Sequence, residues 1–159
     1  MATKLTAEDA SQSLSAHVAA KGFDVHEKYG PHVGWNELLR ILDDKTCCRY
    51  PCKVAFDAGL LQPGEAAYPV PLGQAPEEGF IMHVHPHFMR RLDQVPYLVL
   101  YQLVVVNYGE FASPEDAEVF ASSALRLPRD EYYQALCAMV DEIGGGDETG
   151  CNCQHATPF

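Results

Sequence analysis

Phe80-Ile81-Met82-His83-Val84-His85-Pro86-His87 alternates apolar and non-core side chains with a period of two. Consecutive side chains on an extended strand point to opposite faces, so Phe80, Met82 and Val84 share one face and Ile81, His83 and His85 share the other. The apolar face is a core face. The histidine face borders a cleft, another layer or solvent. Pro86 cannot continue a hydrogen-bonded ladder, so the strand is expected to stop near His85.

Working outward, Cys52, Val54 and Phe56 alternate with Lys53, Ala55 and Asp57, which predicts a further half-buried strand. Pro63, Pro69, Pro71 and Pro76 with Gly64, Gly73 and Gly79 leave room for loop and one edge strand around Glu65 to Val70. On the N-terminal side, Thr6 and the acids after it open a helix expected from Ala7 to Lys21, stopping at Gly22. Trp35, Leu38, Leu39 and Leu42 recur at i, i+3, i+4 and i+7, a short amphipathic helix. On the C-terminal side, Pro96 to Tyr108 reads as a helix apolar nearly all round, with a buried strand as its rival. Ser113-Pro114-Glu115-Asp116 opens another helix, and Arg129 to Ile143 carries the last, with Tyr132, Leu136, Val140 and Ile143 aligned. The expected fold is α+β: two N-terminal helices, a small antiparallel sheet, then three C-terminal helices packed on one face. One globular domain spans 1–143, followed by a flexible tail, 144–159.

With 159 residues and 47% apolar composition, the chain can bury a core without disulfide staples. Eleven basic residues against 22 acidic ones give a formal charge of −11, which argues against nucleic acid and anionic membranes as partners. The N-terminus lacks an apolar secretory core, and the run Tyr97 to Val106 is too short to span a bilayer. A cytoplasmic location is expected, with the six cysteines mostly reduced.

The chemistry concentrates in two motifs. His83 and His85, roughly 6.6 Å apart along a strand, can converge on one ion. His87 would lie roughly 13 Å from His83 were the strand straight, so it joins them only if the chain turns back after Pro86. The other motif, Cys151-Asn152-Cys153-Gln154-His155, places three further soft or borderline ligands in five residues. Imidazole and thiolate select zinc and related transition metals, and zinc takes three or four protein ligands. The expectation is a small cytoplasmic protein that binds a metal ion, zinc or another transition metal, through His83, His85 and His87 with Cys151, Cys153 and His155. Elsewhere, Arg49 beside Cys47 and Cys48 would lower a thiol pKa and make it reactive. Cys52 falls on the apolar strand face and is expected to be buried.

His83-Val84-His85-Pro86 resembles the H-x-H-P strand end of JAMM-type metalloisopeptidases. That resemblance, which covers about a dozen residues, implies Asp93 as a third zinc ligand and Glu65, Glu77 or Glu78 as general base. The spacing to Asp93 is shorter than the family's, and Met89-Arg90-Arg91-Leu92 stands where a serine is expected. A zinc-dependent hydrolase is therefore one alternative. A metal-free interaction module, meeting a partner protein through the proline-rich loop and strand edge, is another.

Overall fold

The computed structural model describes residues 7–143. Among the described residues the chain forms five helices and a three-stranded sheet: α1 (Ala7–Tyr29), α2 (Trp35–Asp43), β1 (Cys52–Phe56), β2 (Ala67–Pro71), β3 (Phe80–Val84), α3 (Val95–Tyr108), α4 (Pro114–Leu125) and α5 (Arg129–Ile143). This is the expected α+β order. The tail motif Cys151, Cys153 and His155 lies outside the described residues.

The histidine strand is the centre of the sheet, whose order is β1-β3-β2. β2 runs antiparallel to β3, with Tyr68 opposite His83 and Pro69 opposite Met82. β1 runs parallel to β3, with Ala55 opposite His83. The sheet is therefore mixed rather than antiparallel. β1 and β2 are consecutive in the chain but not neighbours, because β3 inserts between them; nothing local in either strand encodes that choice. Phe80 is led into the ladder by Gly79, whose φ of 98° suits glycine alone, and Phe80 N donates to Pro51 O at 2.8 Å.

The prolines of β2 obey the ladder. His85 N donates to Ala66 O and Leu72 N to Gly79 O, which places the hydrogen-bonded pairs at Ala66, Tyr68, Val70 and Leu72. Pro69 and Pro71 fall between them, where a backbone N–H would point away from β3 and is not needed.

Met82 and Val84 are fully buried and join Cys52 and Ala67 in the core. α3 packs on β2 and β3, α4 packs on α3 and α1, and α5 packs on α4 and α3. α3 is the helix its composition favours, not the rival strand; eleven of its residues, from Val95 to Asn107, are buried, which accounts for its lack of a polar face. Tyr132 on α5 stacks on Tyr97 and donates its hydroxyl to Tyr97 O at 2.6 Å.

Two helix readings are corrected. α1 does not stop at Gly22 but runs on to Tyr29. A Cβ on Gly22 would sit 2.6 Å from Phe120 O and 2.9 Å from Ser123 Cβ, so glycine is there to let α4 approach, not to end the helix. In α2, Ile41 is fully buried and Leu39 is 39% exposed, so the buried stripe is Leu38, Ile41 and Leu42. The start of α4 is as read: Ser113 Oγ accepts from Asp116 N at 3.1 Å, and Asp116 Oδ2 accepts from Ser113 N at 3.0 Å.

Candidate functional site

His83 occupies the middle of the middle strand. Its in-register neighbours are Ala55 and Tyr68, and it is only 9% exposed. Among the described residues its Nδ1 is buried without a hydrogen-bond partner, a condition that only Gln94 Oε1 shares there. Buried polar atoms are ordinarily paired, because an unmet one carries the full cost of leaving water.

His85 continues the extended chain, with φ −59° and ψ 134°, and so remains on the His83 face of the sheet. Its ring has a local task. Pro86–Arg90 form a short 3-10 turn, and His85 Nδ1 accepts from His87 N at 3.1 Å, capping that turn. Burial holds the His85 pKa below the ordinary histidine value, and the neighbouring His87 adds to the effect. The imidazole is therefore neutral near pH 7, with its proton on Nε2, because Nδ1 is the acceptor.

The 3-10 turn swings His87 out of strand register. Its Nε2 meets Glu142 Oε1 of α5 at 2.7 Å, and Arg91 Nη1 meets the same oxygen at 2.7 Å. Phe88, fully buried, fastens the turn from beneath. Glu142 and Arg91 were invisible to sequence reasoning: they lie 55 and 51 residues from the partners they meet, and no local pattern joins them.

The histidine run thus divides into a buried imidazole with an unmet nitrogen, a turn cap and an ion-pair partner. Among the described residues, no three His, Cys, Asp or Glu side chains gather closely enough to hold a metal ion. Asp93 does not form such a group with His83 and His85. Of the glutamates that the metalloisopeptidase resemblance implies as base, Glu65 accepts from Gln62 N at 2.9 Å and Glu78 from Ala75 N at 3.3 Å, so both serve as local turn caps.

The cysteines also depart from expectation in part. Burial pushes the Cys47 thiol up, so Arg49 does not make it reactive. A hydrogen bond from Cys52 lowers Cys48 and raises Cys52. Cys48 and Cys52 are free and buried, as the apolar pattern predicts for Cys52. Cys137, buried on α5, is disulfide-bonded.

The proline-rich loop borders an open apolar groove of about 690 Å³, with Tyr50, Tyr68, Pro71, Phe80 and Phe111 among its walls. Among the described residues no helix is long and apolar enough to cross a membrane. Compared with known proteins, the chain matches no family model, and no curated protein or solved structure is significantly similar to it.

Proposed function

We propose that the chain binds a transition metal ion, zinc foremost, through His83 and His85, with the remaining ligands supplied by Cys151, Cys153 and His155. The observation that carries the reading is the unmet, buried Nδ1 of His83 on the same strand face as His85. An imidazole nitrogen removed from water and left without a donor is a lone pair available to a cation, which would offset its desolvation.

The fit with His85 has a condition. A histidine that binds metal through Nε2 carries its proton on Nδ1 and donates it to a second-sphere acceptor. His85 Nδ1 instead accepts from His87 N. Binding therefore requires the His85 ring to give up that bond, at a cost of about 1 kcal/mol, well below the roughly 10–16 kcal/mol apparent binding free energy of a structural zinc site. His87 is held by Glu142 and is not needed. The tail motif, which follows Gly144-Gly145-Gly146 in the chain, supplies thiolates only in the reduced protein; with Cys137 disulfide-bonded and Cys47, Cys48 and Cys52 free, that disulfide must be reduced before the ion is bound.

The test is the metal content of untagged protein purified under reducing conditions. The expected result is one zinc per chain, lost in the His83→Ala/His85→Ala double variant and weakened by truncation after Gly146. Zinc content that is negligible, or unchanged in a folded double variant, refutes the reading. The hydrolase alternative predicts instead that the truncated chain keeps its ion. The interaction-module alternative, which the apolar groove favours, predicts no metal at all.

A further inference from the structure

A separate site lies between α1, the loop after α2 and the C-terminal end of α3. It is a cavity of about 380 Å³, within the range of small-molecule pockets. Its lining holds Lys21, Lys28, Lys45 and Arg49, four of the 11 lysine and arginine residues in a chain of formal charge −11. Such a concentration against the overall charge makes this cleft a local positive field in an acidic protein.

Most of these cations are not consumed by internal partners. Lys28 is, since its Nζ lies 2.6 Å from Asp44 Oδ2. Lys21, Lys45 and Arg49 form no ion pair among the described residues. Lys21 makes one long contact, Nζ to Thr46 O at 3.4 Å. Asp24 is the one carboxylate in the lining among the described residues, leaving the positive groups in excess.

Arg49 is held in place. Its backbone N donates to Asn107 Oδ1 at 2.8 Å and its Nη1 to Asn107 O at 3.0 Å. Asn107, itself buried, donates from Nδ2 to Cys47 O at 2.8 Å, and the guanidinium lies 5.7 Å from the Tyr108 ring centre. A guanidinium fixed on one edge presents its remaining N–H groups in a defined direction, which suits the oxygens of a phosphate. Beside it the cavity wall is apolar, formed by Val25, Tyr108 and Phe120.

We propose that this cavity binds a small organic phosphate monoester, with the dianionic group between Lys21, Lys45 and Arg49 and the organic part against Tyr108 and Phe120. Three unpaired cations suit a dianion better than a singly charged carboxylate. The site binds without covalent chemistry, since burial raises the pKa of the thiol that lines it, Cys47.

The test is titration of the full-length protein with phenyl phosphate, benzoate and phenol, followed by backbone amide chemical shifts. Phenyl phosphate is expected to shift amides around Lys21, Lys45, Arg49 and Tyr108, with benzoate weaker and phenol weakest. The Lys21→Gln/Lys45→Gln variant, altering two cavity-lining side chains outside the core, is expected to weaken phenyl phosphate by about tenfold while its unliganded spectrum stays that of the folded protein. Raising the salt concentration should weaken binding in the same direction. The proposal is overturned if phenyl phosphate shifts no amides in this region, or if the double variant binds it unchanged. It is equally overturned if phenol matches phenyl phosphate or benzoate binds more tightly.

Discussion

Replacing His83 by leucine in metal-free protein is expected to stabilise the fold. His83 Nδ1 is buried with no partner among the described residues, and an unmet buried nitrogen costs about 1–3 kcal/mol. Leucine is close to histidine in volume and brings no polar atom. Its neighbours on that face include Ala55, Val70 and Ile81, and only 9% of the residue reaches solvent, so little overpacking or exposure offsets the gain. A net gain of about 1–2 kcal/mol follows, or roughly 3–6 °C in Tm for a domain of this length. The assay is urea denaturation followed by far-UV circular dichroism, with chelator present for both proteins. A midpoint shift at constant m-value reports stability alone. The zinc-loaded wild type should reverse the order, because an ion bound only by the folded state adds its own stabilisation. Should the chelated leucine variant lose more than about 1 kcal/mol, His83 would be a satisfied structural residue, and the argument from its unmet nitrogen would fail.

Other perturbations read the fold directly. Gly22→Ala would gain about 1 kcal/mol in an unconstrained helix, but contact with the Phe120 carbonyl should turn this into a loss of about 1–2 kcal/mol, measured by the same denaturation; a gain would mean α1 and α4 are not in close approach. Asp44 accepts from Lys28, Thr46 and Tyr29, and the Lys28 ammonium above all holds its carboxyl well below the usual range. A depressed carboxylate stabilises above its unfolded pKa and loses that contribution as pH falls, so stability should decline below about pH 4, and Asp44→Asn should flatten that decline in midpoints measured from about pH 6 to 2.5. Arg126 ends α4 with φ 58° in the left-handed region, so Arg126→Gly should raise Tm by about 1–4 °C in calorimetry, and a fall would contradict that backbone conformation.

Elements whose signals are local were legible in the sequence. The cap at Ser113 with Pro114, the alternation through β3 and the edge prolines of β2 each depend on neighbours in the chain, and each reads correctly. Gly22 misled because a glycine placed for close helix contact has the same sequence signature as one that ends a helix. The direction of β1 was not legible because pairing partners are chosen across the molecule. The histidine run was legible as a strand end, but not the separate tasks of its members. His87 finds Glu142 only once α5 has docked. The cations around Arg49 are dispersed from Lys21 to Arg49, so their convergence awaits the packing of α1 against the rest.

Pro69 and Pro71 have a consequence for how copies of this chain meet. An open sheet border invites another molecule to add a strand, the first step toward fibrous assemblies. Along the outer side of β2 such a visitor would find carbonyls at both prolines but no amide hydrogens to complete the exchange. The two prolines thus weigh against templated growth along this border, and substituting both by valine would restore the missing donors.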